Sequence, residues 1–226
     1  NSEIKPPIAD KLSHISIVHG DTLHDDYFWM RLSDEQKEAE IPDDPTKKVT
    51  AYLNAENTYR EKVMQHTEAF QEKLFEEIKG RIKQTDMSVP YRDNGYYYIT
   101  RYEEGFEYPI YSRKKDTFDA KEEVILDVNL LAKDHSYYQV GGKAVSPDNS
   151  VLAFSEDTVS RRQYTIKFKN LITNETIQEA IPNTNGEIVW ANDNKTIFYT
   201  INDEALRSYK IMRHTLGTDV SNDIEV

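Results

Sequence analysis

Val145-Ser146-Pro147-Asp148-Asn149-Ser150-Val151-Leu152-Ala153-Phe154 aligns with Trp190-Ala191-Asn192-Asp193-Asn194-Lys195-Thr196-Ile197-Phe198-Tyr199, a strand-like run after an Asp-Asn turn in both cases. The two aspartates stand 45 residues apart, and the same offset joins Tyr164 to Tyr209, Ile166 to Ile211, Leu171 to Leu216 and Thr173 to Thr218. A period in the forties, with short strands separated by turn residues, is the mark of β-propeller blades of about four strands each. Such repeats bury their faces only against neighbours, and a propeller closes with about four or more blades. The length leaves room for about three, placed at about 91–130, 138–181 and 186–226. The first matches the repeat least well, with Asp93-Asn94-Gly95 in the place of the later Asp-Asn turns. The fold class is therefore mainly β with an N-terminal α segment: a partial propeller that forms part of something larger.

The 226 residues carry a formal charge of −12, which argues against a nucleic-acid partner because phosphate binding needs a basic footprint. An acidic surface serves solubility and also suits cationic partners or substrates. Fifteen Tyr and eight Phe supply core and stacking surface and argue against disorder. There is no Cys, so disulfides, thiolate chemistry and Cys-based zinc sites are excluded. No apolar run approaches the ~20 residues of a membrane span. The chain opens on Asn1 rather than Met, which reads as removal of an upstream piece, a leader included. The compartment expected is the cytoplasm, with the periplasm as the alternative.

The N-terminal segment reads differently from the blades. Residues 1–45 show no sustained period, and Ser33–Asp44 reads as an acidic surface loop with a helical turn. Two amphipathic helices follow. Asp43 or Asp44 caps the first, with Pro45 early in it, and Val49, Tyr52, Leu53, Tyr59 and Val63 form its apolar face. Thr67, with Gln71, is expected to cap the second, whose stripe is Phe70, Leu74, Ile78 and Ile82, with Gly80 as a stop. Both helices need a partner surface. Residues 83–90 form a polar connector ending in Pro90, and strands are expected at 95–101, 108–113 and 124–128. The domain boundaries are thus 1–82, a hinge at 83–90, and propeller from 91 to 226.

Little in the chain carries chemistry by itself. There is no Gly-x-Ser-x-Gly elbow, no Gly-rich phosphate loop and no His-Glu-x-x-His. The segment from His19 to Asp26 crowds His19, Asp21, His24, Asp25 and Asp26, but the spacing matches no standard metal loop, so a structural hydrogen-bonded element is expected and no metal. The Asp-Asn pairs read as tight turns rather than calcium ligands. Arg161-Arg162 follows an acidic stretch. It reads either as a solvated ion-pair network or as an interdomain latch, since Arg makes bidentate contacts. Tyr27-Phe28-Trp29 cannot all face one core, and part of it is expected against another domain.

Together, His19-Gly20-Asp21-Thr22, Asp25, Tyr27, Trp29 and Arg31 resemble the N-terminal signature of the prolyl oligopeptidase family. Ala55-Glu56-Asn57, Glu77-Ile78, Arg81-Ile82, Gly141-Gly142, Ser146-Pro147-Asp148-Asn149, Glu156-Asp157, Ser160-Arg161-Arg162-Gln163-Tyr164, Phe168, Asn170-Leu171 and Trp190-Ala191-Asn192-Asp193 extend the resemblance along nearly the whole chain, toward the oligopeptidase B (protease II) branch. The resemblance implies a seven-bladed propeller covering an α/β-hydrolase domain, with residues 1–82 packed on the hydrolase side. It implies a serine peptidase that cleaves short peptides after Arg or Lys, with no cofactor. The catalytic Ser, Asp and His belong to a C-terminal domain outside these residues, so this chain alone is expected to be inactive. Arg161, Arg162, Tyr27, Trp29 and Arg31 become candidate interdomain contacts, and Ile82, Lys83, Gln84, Thr85, Asp86 and Met87 a hinge. The expected partners are short basic peptides, the hydrolase domain, and a second copy through the open blade edge. The competing reading is a non-enzymatic propeller module used for interaction.

Overall fold

The computed structural model of the chain describes residues 4–226. The chain divides into two compact units, 1–82 and 83–226.

In the first unit, β1 (His14–Val18) and β2 (Asp21–Asp25) pair antiparallel, with Val18 opposite Asp21. The sequence shows no period here, and the turn sets the hairpin. His19 (φ 53°) and Gly20 (φ 89°) are both left-handed, the two-residue turn whose twist matches that of paired strands. Helix α1 (Asp34–Glu38) carries a capping box between Ser33 and Gln36. Helix α2 (Asp44–Met64) is capped by Asp43, whose carboxylate accepts from the Thr46 N–H at 2.8 Å. A 3-10 turn at Gln65–Thr67 leads into α3 (Glu68–Gly80). Thr67 does not cap α3 as expected. Its own backbone is helical, the preceding turn already serves the N–H groups, and its hydroxyl donates to the Met64 carbonyl at 2.6 Å. Val49 is the one buried residue of α2, and Phe70, Leu74, Phe75 and Ile78 of α3, with Ile82 beyond it, are exposed.

The second unit is built of blades. In the first, β3 (Asp86–Met87) and β4 (Tyr91–Asp93) both pair with β5 (Tyr96–Tyr102), followed by β6 (Ile110–Lys115) and β7 (Glu122–Asp127). β3 and β4 are one strand interrupted at Pro90, which has no N–H to donate. Asp86 and Met87, read from sequence as connector, thus form the blade's first rungs. Ser88 extends them, its N–H donating to the Thr100 carbonyl at 2.8 Å. The strand expected at 124–128 ends at Asp127, whose carboxylate accepts from the Asn129 N–H at 3.0 Å and caps α4 (Val128–Ala132).

The remaining strands are β8 (Gln139–Val145), β9 (Val151–Asp157), β10 (Tyr164–Asn170), β11 (Thr176–Trp190), β12 (Thr196–Asn202), β13 (Ser208–Thr215) and β14 (Ile224–Glu225), in one antiparallel sheet. The break expected between 181 and 186 is a bend inside β11. Its first part pairs with β10 as the outer strand of blade two, and from Thr184 it pairs with β12 as the inner strand of blade three. Left-handed Asn183 (φ 59°) and Gly186 (φ 91°) make the bend. The 45-residue repeat reappears bond for bond. Ser146 N–H to Val151 O is matched by Ala191 N–H to Thr196 O, and Leu171 N–H to Ser150 O by Leu216 N–H to Lys195 O, all at 2.8 Å. Asn149 and Asn194 take φ of 63° and 60°.

β9 is buried along its whole length because it has a neighbour on each face. Alternation sends Leu152 and Phe154 to Tyr98, Ile125 and Leu126 of blade one. It sends Val151 and Ala153 to a cluster with Ile166, Phe168, Ile197 and Tyr199. The blade turns also bond to one another. Asn94 Nδ2 donates to the Pro147 carbonyl at 2.5 Å, Asn149 Nδ2 to the Asn94 carbonyl at 3.2 Å, and the Asp148 N–H to Asn194 Oδ1 at 2.8 Å.

Candidate functional site

The connection between β9 and β10 carries Arg161 and Arg162. Its foundation is Asp157, a buried carboxylate that accepts from the Val159 N–H at 2.9 Å and the Arg162 N–H at 2.7 Å. Ser160 (φ 60°) and Arg162 (φ 56°) are left-handed without being glycine, a cost that surrounding structure must hold in place. The corresponding loop one repeat later shows the contrast. There Asp203 caps backbone N–H groups and also binds the Arg207 guanidinium at 3.1 Å. Both oxygens of Asp157 are occupied by backbone, so no acid is left for Arg162. Arg161 and Arg162 are exposed and make no ion pair among the described residues. The solvated ion-pair network considered from sequence is not formed.

In the first unit the aromatic block divides. Trp29 is held inside its own unit. Its indole N–H donates to the Asp10 carbonyl at 2.8 Å, its ring meets Tyr52 edge-on, and the Lys48 ammonium lies 4.8 Å above it. Tyr27 is exposed, and Phe28 stacks on His14 at 3.7 Å between centroids. Arg31 is exposed, with its guanidinium 6.0 Å from the Phe28 ring. At the junction of the units Ile82 is exposed, and Lys83 pairs with Asp86 at 3.0 Å, which holds the Asp86 carboxyl below its ordinary range. Gln84 and Thr85 are exposed. His19 lies at the hairpin turn and His24 on β2, and among the described residues no group of three or more His, Asp or Glu side chains is arranged to hold a metal ion.

Two polar clusters in the second unit had no signal in the sequence. Fully buried His214 faces Asp223 through Nδ1 at 2.6 Å and Glu179 through Nε2. Tyr199 donates to the other oxygen of Asp223 at 2.6 Å, and burial with this bond pushes its hydroxyl pKa up. Glu179 lies on the blade-two part of β11, so the histidine ties two blades together. The second cluster lies between blades one and two. Arg113 is buried, donates to Glu123 at 2.9 Å and to the Asn149 carbonyl at 3.0 Å, and lies 4.1 Å from the Tyr96 ring. Neither cluster is visible as a motif, because its members come from different blades. The hydrogen-bonded histidines meet a backbone carbonyl (His66 to Val63) and two carboxylates (His214 to Asp223 and Glu179).

Blades packed face on face, the second and third sharing β11, with turns bonded from each blade to the next, define a partial β-propeller. The chain belongs to the prolyl oligopeptidase family: residues 6–226 match its N-terminal β-propeller domain. Among its relatives, the chain is 40% identical to dipeptidyl aminopeptidase BI of Pseudoxanthomonas mexicana, over 98% of this chain and 32% of that protein. It is 34% identical to protease 2 of Moraxella lacunata, over 97% of this chain and 31% of the relative. The structure of oligopeptidase B from Leishmania major superposes with a TM-score of 0.83 and 32% identity, over 99% of this chain and 32% of that one. The chain thus spans about a third of the length of the relatives it matches. No helix among the described residues is long and apolar enough to cross a membrane.

Proposed function

We propose that the chain is the front third of a serine peptidase whose catalytic Ser, Asp and His lie in a downstream α/β-hydrolase portion. In this reading the propeller covers the active site and admits short peptides, which are cut after Arg or Lys. The observation that carries it is the match of residues 6–226 to a peptidase propeller family, with relatives named as peptidases about three times longer. The net charge of −12 supports a preference for basic peptides. Arg161 and Arg162 would close a latch on carboxylates of the hydrolase portion, because their loop is built without an acid of its own. Tyr27, Arg31 and the apolar stripe of α3 would pack on the same portion, with Trp29 bracing Tyr27 from inside its own unit, and of residues 82–87 the stretch 82–85 ahead of β3 would bend as the cover opens.

A second reading comes from the 40% identical relative, whose name is dipeptidyl aminopeptidase. The experiment that separates the two uses the protein of the complete reading frame. Blocked peptide amides ending in Arg or Lys are compared with free dipeptide amides. The first reading expects the blocked basic substrates to be cleaved, and cleavage to stop with a serine-directed reagent. Preference for the dipeptides favours the second. Cleavage of neither leaves a propeller used for interaction. If the latch operates, Arg162→Ala lowers kcat/KM by about tenfold, the worth of one charge-assisted contact.

A further inference from the structure

Blades one and two enclose a cleft of about 480 Å³, within the roughly 300–1,000 Å³ of small-molecule pockets. Tyr91 and Tyr98, stacked with centroids 5.3 Å apart, and Tyr111 form its aromatic walls. Lys143 enters from β8 with its ammonium 4.1 Å from the Tyr111 centroid. Among the described residues this ammonium has neither hydrogen bond nor ion pair. By contrast, Lys167 and Lys169 in the same sheet bind Glu156 and the Ile125 carbonyl. Ser112 also lines the cleft, but its side chain alternates to the face of β6 opposite Tyr111, beside Ile99 and Glu122, so its hydroxyl does not face the cleft. Asp93, on exposed β4, lines the cleft too and makes no side-chain hydrogen bond or ion pair among the described residues.

Burial pulls the Lys143 ammonium below its ordinary pKa and pushes the hydroxyls of Tyr91, Tyr98 and Tyr111 above theirs, desolvation being the largest cause in each. Lys143 still keeps exposed surface, so its stem packs while its head stays within reach of solvent. Titratable groups desolvated together around one cleft are one of the features that binding sites share.

An unpaired ammonium and an unpaired carboxylate around aromatic rings complement one end of an amino acid. A free carboxylate meets Lys143, an N–H meets Asp93, and an apolar side chain lies against the tyrosines. Asp93 disfavours multiply charged anions such as phosphate. We propose that this cleft binds the C-terminal residue of a short peptide, with its free α-carboxylate on Lys143. That the carboxylate comes from a peptide rests on the peptidase reading; the carboxylate chemistry does not.

The test titrates the protein of the complete reading frame with N-acetylphenylalanine and with N-acetylphenylalaninamide, which differ only in the carboxylate, by calorimetry. The acid is expected to bind about tenfold more tightly than the amide. Lys143→Met is expected to remove that advantage and leave amide binding unchanged. Equal affinity for the two probes, no binding of either at millimolar concentration, or an unchanged preference in Lys143→Met each overturns the proposal. The comparison on the unsubstituted chain stands even if the variant fails to fold. Neither probe has to be cleaved, so failure of the peptidase reading in the substrate assay leaves this result separate.

Discussion

His214 shows how one side chain holds two blades. Each ring nitrogen faces a carboxylate oxygen, on Asp223 and on Glu179, and the ring also stacks on Phe168. His214→Leu would leave both acids facing an apolar side chain. The expected cost is about 3 kcal/mol, in the range for breaking a buried pair by removing one partner. Urea unfolding followed by tyrosine fluorescence checks it; a loss below about 1 kcal/mol would mean that water replaces the ring. Asp193 acts at the surface instead. Bonds from the Thr196 hydroxyl and from the N–H groups of Lys195 and Thr196 draw its carboxyl down to about 2. A folded pKa below the unfolded one adds stability that is present above the unfolded value and lost as pH falls through about 2. The stability gap between the native chain and Asp193→Asn should therefore be widest above about pH 4 and close toward pH 2. Thermal melts across that range read it, and a pH-independent gap would contradict it. The turn itself was legible from Asp193-Asn194, because the side chain's bonds are local. The partners of His214 were not, because they come from residues 179 and 223.

At the scale of the element, β8 and β11 meet where neither has a side chain. Gly141 and Gly142 lie where the β8 register slips against β9, and a Cβ on Gly142 would collide with the Gly186 carbonyl oxygen. Gly142→Ala should therefore destabilise the second unit by about 2 kcal/mol, the typical cost of overpacking. Gly80 at the end of α3 has open space around it, so Gly80→Ala should be neutral or stabilise the helix by up to about 1 kcal/mol. Parallel denaturation of the two variants checks both, and equal effects would show that crowding is not what selects glycine at 142. The Gly-Gly pair stood out in sequence, but its reason did not, since the colliding atom lies 44 residues away on β11. Helix α2 and the strands from Tyr96 to Asp127 were read from local pattern with small shifts at their ends. The β1–β2 hairpin was missed because two short strands show too few alternations to register. The continuity of β11 was missed because the repeat put a blade boundary between 181 and 186.

For the whole molecule, the second unit of the 226 residues holds three propeller blades. Its last strand, β14, has two residues and a free edge, and Val189, Ile211 and Ile224 are exposed. Open edges with apolar faces pair with other chains, so the isolated chain is expected to self-associate as its concentration rises. Sedimentation velocity over a concentration series reads this, and a clean monomer throughout would count against it. The sequence by itself determined the blade repeat, the turn chemistry, the capped first helix and the family, because each is written in residues close together or at a fixed period. Only the tertiary structure decided which residues of different blades meet: His214 with Glu179, Gly142 with Gly186, and Lys143 with Tyr111. It also decided that Arg162 is left without an acid, because the carboxylate five residues before it turns inward to the backbone. Such meetings depend on how neighbouring blades pack face to face, and packing across a repeat leaves no period in the chain that forms it.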